Sequence, residues 1–264
     1  MNPMPEITPL LKRLRLSGIS ETLAVRNREA IANQLSFSEF LATVLQDEIA
    51  RRENSKFAKR LRQSHINSNK TLEQFDFSFN PRINQEMVCD LATCRFIDEN
   101  APALLVGPCG TGKSHIAQAI GHCAIRQGRS TLFFTQSKLL QVLNNARAMG
   151  QYDKQLQMMI NVPLLIIDDF GLKPLRQGQD EDLHDLITER YEARSTLVTS
   201  NLAFSEWGDA FPNKLLGAAI LDRLAHSAYK VVLEGNSYRS QGVASESTIN
   251  QKKELANPDN LADY

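Results

Sequence analysis

The sequence predicts a three-layer α/β domain built on a five-stranded parallel sheet, with a small helical domain in front of it. Two observations support this fold class. Five short segments are nearly all apolar or β-branched, which is typical of strands buried on both faces, and helix-length segments separate them. The predicted strands are 103–106, 131–135, 164–167, 196–199 and 230–233.

Composition limits the class of protein. The chain has 264 residues, of which 42% are hydrophobic, and its 30 basic residues balance 30 acidic ones, so the whole chain has no polyanion-binding signature. The four cysteines form no C-x-x-C pair, which is typical of reduced cytosolic thiols. There is neither a signal-peptide core nor an apolar run of about 18 residues. We therefore expect a soluble, cytoplasmic protein without a membrane span.

The first 70 residues have the apolar periodicity of helices and an excess of positive charge. Gly18 is expected to interrupt the first helical run, and Ser36 or Ser38 to cap the next helix. Twelve basic and seven acidic residues leave a net charge of +5 in this region. A run of this kind either contacts the phosphate backbone of duplex DNA, largely without sequence preference, or forms a solvated helix face. The DNA-binding candidates are Arg51, Arg52, Lys56, Lys59, Arg60 and Arg62.

Changes in composition predict the domain boundaries. We expect a helical N-terminal DNA-binding domain over residues 1–66 and the α/β domain over 81–239. Between them, 67–80 is a polar linker in which Phe75, Phe77 and Phe79 alternate, so we expect it to dock its aromatic rings on a neighbouring surface. The tail 240–264 is polar and is predicted to be disordered.

A glycine-rich loop follows the first predicted strand. Residues 107–114 read G-P-C-G-T-G-K-S and fit the pattern G-x-x-x-x-G-K-[ST], with a helix-forming segment behind them. The alternative, a glycine-rich turn without a ligand, does not account for this order of strand, loop and helix. Backbone N–H groups of such a loop surround the phosphates of ATP, its lysine reaches the β and γ phosphates, and its serine ligates Mg²⁺. The predicted loop comprises Gly107, Pro108, Cys109, Gly110, Thr111, Gly112, Lys113 and Ser114.

Two carboxylates end the third predicted strand. Asp168 is placed to hold Mg²⁺, and Asp169 to act as the general base that polarises the attacking water. Aspartate is one methylene shorter than the glutamate usual at the second position, which suggests slow turnover. The alternative is an acidic turn that caps the strand.

Three further polar residues are candidates for the same site. Asn201, after the fourth strand, could orient water near the γ-phosphate, or could be a helix cap or turn residue. Arg223, before the fifth strand, could project onto the γ-phosphate of a neighbouring subunit as an arginine finger, or could pair with Asp222 or Glu234 on the surface. Arg239 could contact phosphate in its own subunit or could be an ordinary surface residue.

With these motifs in place, almost the whole chain resembles the IstB-like ATP-binding proteins. These helpers of insertion-sequence transposases belong to the AAA+ superfamily and are close to the DnaC helicase loaders. The segments that support the resemblance are LLKRLRLSGISETL, KTLEQFDFSFNP, GPCGTGKSH (Walker A), LLIIDDFGL (Walker B), TSN (sensor 1, at Asn201), ILDRLAHSA (the arginine finger, at Arg223) and GNSYR (the C-terminal signature, at Arg239).

The resemblance implies an AAA+ ATPase that assembles with itself on duplex DNA in the presence of ATP and Mg²⁺. It also implies contact with a cognate transposase at the target site, and hydrolysis of ATP that times assembly and release. The first alternative is a DnaC-like helicase loader, because the two cores share their motifs and only the N-terminal 70 residues separate them. A small-molecule phosphotransferase would leave the basic N-terminal region without a role, and an interaction protein with an inactive site would not need a competent residue at every hydrolysis position.

Overall fold

The structure is a computed structural model that describes residues 4–235. The chain forms two compact units, and the division falls between Arg60 and Leu61, within the third helix. The predicted tail 240–264 and Arg239 lie outside the described residues. No helix within residues 4–235 combines the length and the apolar character needed to cross a membrane.

The first unit is helical. It contains α1 (Met4–Arg13), α2 (Ser17–Ala32) and most of α3 (Phe37–Ser64). The chain leaves the helical conformation before Ser17, so the prediction that Gly18 breaks the helix is wrong. Ser36 caps α3, because its hydroxyl accepts the Glu39 N–H at 3.3 Å while the Glu39 carboxylate accepts the Ser36 N–H at 2.8 Å.

Gly18 has a packing role instead. The buried carboxylate of Glu48, on α3, accepts the backbone N–H groups of Gly18 at 2.6 Å and Ile19 at 3.3 Å, and so caps the first turn of α2. A Cβ atom at Gly18 would lie 2.8 Å from the Cα atom of Glu48. Glycine is therefore required at this contact between α2 and α3. Apolar contacts among Leu11, Ile19 and Val44 complete this small core.

The second unit contains the predicted five-stranded parallel sheet. Its strands are β1 (Ala103–Val106), β2 (Thr131–Thr135), β3 (Leu164–Asp168), β4 (Ser195–Ser200) and β5 (Tyr229–Val232). They lie in the order β2-β3-β4-β1-β5, and all four pairings are parallel. The predicted fold class is confirmed. The bounds of β1 and β2 agree with the sequence prediction. β3 extends one residue further at its end, β4 extends one residue further at both ends, and β5 both begins and ends one residue earlier than predicted.

Helices cover the sheet because every residue of β3 and β4 is buried and must be shielded from water. The helices of this unit are α4 (Gln85–Ala92), α5 (Arg95–Asp98), α6 (Lys113–Arg126), α7 (Gln136–Ala148), α8 (Tyr152–Asn161), α9 (Gln179–Arg190) and α10 (Lys214–Ala225). Since β1, β4 and β3 are neighbours in a parallel sheet, the segments that follow them emerge at one edge. The sheet topology thus brings the glycine-rich loop, the paired aspartates and Asn201 to the same edge.

Candidate nucleotide-binding site

Backbone geometry explains the glycines of the loop between β1 and α6. Gly107, Gly110 and Gly112 have φ angles of 150°, 82° and 95°, values that L side chains rarely adopt. The N–H of Gly107 donates to the carbonyl oxygen of Ser200 at 3.2 Å, which attaches the loop to β4. A Cβ atom at Gly107 would lie 2.1 Å from the carbonyl oxygen of Leu233, so no larger residue fits.

The side chain of Lys113 lies inside this loop. It is only 5% exposed, and its Nζ atom donates to the carbonyl oxygens of Gly107 at 2.7 Å and Pro108 at 2.6 Å. Thr111 Oγ1 also donates to the carbonyl oxygen of Pro108, at 2.9 Å. An ammonium group and the N-terminus of α6 therefore lie in one tight loop, an arrangement that favours a bound phosphate.

Asp168 connects the loop to the sheet. Its Oδ1 atom accepts a hydrogen bond from Ser114 Oγ at 2.9 Å and a short one from Thr199 Oγ1. Burial raises the pKa of Asp168, while these two hydrogen bonds act in the opposite direction. A carboxylate and a hydroxyl in contact are hard oxygen ligands of the kind Mg²⁺ prefers, and Mg²⁺ needs only one or two of them beside the phosphates. The predicted pair therefore fits Mg²⁺.

Asp169 and Asn201 lie beside this pair. Asp169 is partly exposed and adopts a left-handed φ of 56°, and its N–H donates to Thr199 Oγ1 at 3.2 Å. Asn201 directly follows β4 and is partly exposed. The next helical turn, Phe204–Ala210, has Ala203 at its N-cap, so Asn201 is not a helix cap. Both side chains thus belong to the edge that contains the glycine-rich loop.

Arg223 lies at the other edge of the sheet. It ends α10, just before β5, and lines a cleft with residues from the amino ends of the strands. Its Nη1 atom donates to the carbonyl oxygen of Ala219 at 2.9 Å, and within residues 4–235 it forms no ion pair with Asp222 or Glu234. The other residues that line the cleft include Pro102, Tyr191, Arg194, Thr196 and His226. Within one chain, Arg223 and the glycine-rich loop are separated by the length of the strands.

Three residues that contact the site are absent from the predicted site residues, although Phe75 was expected to dock on a neighbouring surface. Phe75 packs on the loop, since a Cβ atom at Gly112 would lie 2.7 Å from its Cε2 atom. His115 meets Phe75 edge to face, with ring centroids 5.2 Å apart. Thr199 contacts both aspartates. The alternating phenylalanines of 75–79 were the only signal for Phe75, and no local pattern pointed to His115 or Thr199.

The DNA-binding candidates on α3 differ in their contacts. Arg51 pairs with Glu21 at 2.9 Å, and Arg52 with Glu48 at 2.7 Å. The other four form no ion pair within the part of the chain that the structure describes: Lys56, Lys59, Arg60 and Arg62. Lys56 and Lys59 are exposed and lie three residues apart, so they share a face with Arg52.

Known proteins match both the sequence and the fold. The family described as IstB-like ATP binding protein matches residues 9–246. An ATP-binding protein of insertion sequence IS21 from Pseudomonas aeruginosa is 35% identical over 236 residues, which is 89% of each chain. One of insertion sequence IS232 from Bacillus thuringiensis is 34% identical over 90% of this chain and 95% of its own.

Solved structures resemble the core. The DnaC helicase loader matches with a TM-score of 0.54 and 23% identity, over 63% of this chain and 97% of the loader. The replication initiator DnaA, bound to AMPPCP and single-stranded DNA, matches with a TM-score of 0.56 and 20% identity, over 66% of this chain and 52% of DnaA. At these identities the likeness shows that the core has the same fold as these proteins, and nothing more.

Proposed function

The chain belongs to the family of IstB-like ATP-binding proteins, and we propose that it is a regulator of transposition that assembles with itself on duplex DNA when it binds ATP. In this proposal, hydrolysis of ATP times assembly and release, and the assembled form recruits or stimulates the cognate transposase at the target site. ATP binding and a general ATPase character follow from the family. The DNA, the assembly and the transposase are the proposed part.

The position of Arg223 is the observation that supports assembly. The glycine-rich loop follows β1, whereas Arg223 precedes β5, and these two strands are parallel neighbours of four residues each. At about 3.3 Å per residue the strands alone separate the two by about 13 Å. Arg223 therefore has no route to a phosphate on its own loop, and an arginine finger at this position would serve a neighbouring subunit.

Each residue of the loop edge has a part in the proposed hydrolysis. Lys113 and the N-terminus of α6 would hold the β and γ phosphates, while Ser114 and Asp168 would hold Mg²⁺, which supplies charge neutralisation at the phosphates. Asp169 would accept the proton of the attacking water, and Asn201 would orient that water. Arg223 of a neighbouring subunit would stabilise the charge that develops at the γ-phosphate.

Mixing two inactive variants tests the contribution across subunits. Asp169→Asn would bind ATP and keep its arginine but lack the general base, and Arg223→Ala would bind ATP without an arginine to offer. We expect each to be inactive alone and their mixture to regain hydrolysis, because an Asp169→Asn subunit binds ATP, joins the assembly and supplies Arg223 to its neighbour. Arg194→Ala, which removes another arginine of the same cleft, is the matched control and should retain turnover. Wild-type turnover by Arg223→Ala, or no recovery in the mixture, would refute the assignment.

Charge on α3 supports the DNA-binding part of the proposal. If the four side chains without an ion pair contact phosphates, the logarithm of the affinity should fall with the logarithm of the salt concentration with a slope of about −3.6. Lys56→Glu with Lys59→Glu should abolish the shift of a duplex in a gel with ATP. Arg28→Glu, which reverses an exposed charge on α2, is the control.

The same gel separates this function from helicase loading. Preference for duplex DNA supports the transposition regulator, whereas preference for single-stranded DNA would favour a DnaC-like loader. Stimulation of ATP hydrolysis by the cognate transposase would support the partner that we propose, and a transposase without effect on either assembly or turnover would argue against it.

A further inference from the structure

Thr199 lies at the centre of the hydrogen bonds that hold the paired aspartates. It is the penultimate residue of β4 and is 1% exposed. Its hydroxyl bonds to Asp168 Oδ1, its Oγ1 atom receives the N–H of Asp169 at 3.2 Å, and its carbonyl oxygen receives the N–H of Phe170 at 2.8 Å. One residue thus contacts three consecutive residues of the neighbouring strand end.

The chemical groups involved determine which atom donates and which accepts in each of these hydrogen bonds. The backbone N–H of Asp169 can only donate, so Thr199 Oγ1 is the acceptor there and its single hydroxyl hydrogen points to the carboxylate of Asp168. Ser200 adds a contact from the opposite face of β4, because its Oγ atom donates to the carbonyl oxygen of Phe170 at 2.7 Å. The segment 168–170 is therefore held on both faces.

The backbone of Asp169 needs such support. Its φ of 56° is a left-handed conformation that residues other than glycine seldom adopt, and it sets the direction in which the Asp169 side chain leaves the strand. The N–H bond to Thr199 fixes this turn. Loss of the hydroxyl would release the carboxylate of Asp168 and the turn of Asp169 together.

We propose that Thr199 is a positioning residue for ATP hydrolysis. Its hydroxyl fixes the orientation of the Asp168 carboxylate, which would bind Mg²⁺, and the backbone turn at Asp169, the proposed general base, so that both keep their positions beside the glycine-rich loop. The inference rests on the proposed ATPase function. Ser114, the other donor to Asp168, is assigned to Mg²⁺ itself. Thr199 is therefore the donor that orients the carboxylate of Asp168.

The test compares variants that differ at one hydroxyl. Thr199→Ser retains the donor, whereas Thr199→Ala and the isosteric Thr199→Val remove it. We expect both of the latter to lower kcat roughly tenfold or more with little change in KM for ATP, and Thr199→Ser to remain near the wild type. Thr131→Val is the matched control, since Thr131 is also buried in a strand and its hydroxyl has no hydrogen-bond partner within residues 4–235.

A second measurement does not depend on turnover. The dissociation constant of a fluorescent ATP analogue is measured with Mg²⁺ and with EDTA, and we expect the gain in affinity from Mg²⁺ to shrink in Thr199→Ala but not in Thr199→Ser or Thr131→Val. If Thr199→Val does not fold, the Ser and Ala variants still differ by the hydroxyl alone. Equal kcat and equal Mg²⁺ dependence in Ser and Ala would overturn the inference. Absence of hydrolysis in the wild type would instead overturn the ATPase proposal.

Discussion

The Nε2 atom of His115 lies 2.9 Å from the carbonyl oxygen of Thr71, and this contact ties the segment after α3 to the helix that begins in the glycine-rich loop. The nitrogen that faces a carbonyl must bear the hydrogen, so His115 donates. Two further side chains on the same face of α6 bind this segment. Gln118 Oε1 accepts the N–H of Asn67 at 2.9 Å, and His122 Nε2 lies 3.2 Å from the carbonyl oxygen of Asn67.

Positions 115, 118 and 122 follow helical spacing, so one stripe of α6 holds residues 67–71 by their backbone. Phe75, a few residues on, packs on Gly112 of the loop. The segment between the helical unit and the sheet is thus attached to the same helix whose first turn would bind phosphate.

Removal of the side chains on this face of α6 should weaken the attachment of residues 67–71. In the double variant His115→Ala with Gln118→Ala, we expect amide hydrogens of residues 65–75 to exchange about tenfold faster, because each lost hydrogen bond is worth about 0.5–1.5 kcal/mol. Hydrogen exchange with mass spectrometry measures this. Gln141→Ala, on the exposed face of α7, is the control. Unchanged exchange in 65–75 would mean that the stripe does not hold the segment.

The glycine-rich loop should not tolerate a side chain at its first position. Gly107→Ala places a methyl group 2.1 Å from a backbone oxygen at a φ of 150°, so we expect lost nucleotide binding and a lower melting temperature. Gly208→Ala is the matched control, since a Cβ atom there would have no neighbour within 4 Å. Titration with a fluorescent nucleotide and thermal unfolding provide the two readouts. Normal binding by Gly107→Ala would contradict the geometry of the loop.

Cysteine reactivity should report nucleotide binding. Cys109 is exposed in the loop, whereas burial raises the pKa of Cys94 to about 12. Since the thiolate is the reactive form, Cys94 should not react with a maleimide at pH 7.5, and Cys109 should react until ATP covers it. Cys89, exposed on α4, should react with or without ATP and is the internal control. Labelling of Cys109 that ATP does not slow would argue against phosphate binding at this loop.

An ion pair should make the helical unit sensitive to acid. The hydrogen bond from Arg26 on α2 lowers the pKa of Asp47 on α3 to about 2. A carboxyl group with a depressed folded-state pKa stabilises the protein above its unfolded pKa of about 3.9, and this contribution is lost as the pH falls through about 2. Asp47→Asn should therefore destabilise the helical unit at pH 7 and match the wild type near pH 2.

Urea unfolding followed by circular dichroism measures this difference across the pH range. Glu29→Gln removes the other acidic partner of Arg26, an exposed pair expected to contribute about 0–1 kcal/mol, and is the control. A deficit of Asp47→Asn that stays constant from pH 7 to pH 2 would exclude the ion pair as its source.

Local sequence patterns determined the framework of the candidate nucleotide-binding site. Residues 107–114 are contiguous, and glycine backbone freedom with a preceding strand and a following helix specifies the loop without distant contacts. Asp168, Asp169 and Asn201 were predictable because each follows a strand whose apolar run is visible, and parallel strands end at one edge. The same reasoning identified Arg223 as a candidate, since it precedes a strand.

Only the tertiary structure decided which side chains support that framework. Thr199 meets Asp168 across 31 positions of the chain and His115 meets Thr71 across 44, so no local period records either pair. The contact of Arg51 with Glu21 likewise depends on how α2 packs on α3. A hydrogen bond forms between groups that are close in space, whatever their separation along the chain. Sequence periodicity indicates only which residues are buried. For this reason the sequence predicted the strands and the residues that follow them, and the tertiary structure was needed to identify the side chains that bond to those residues.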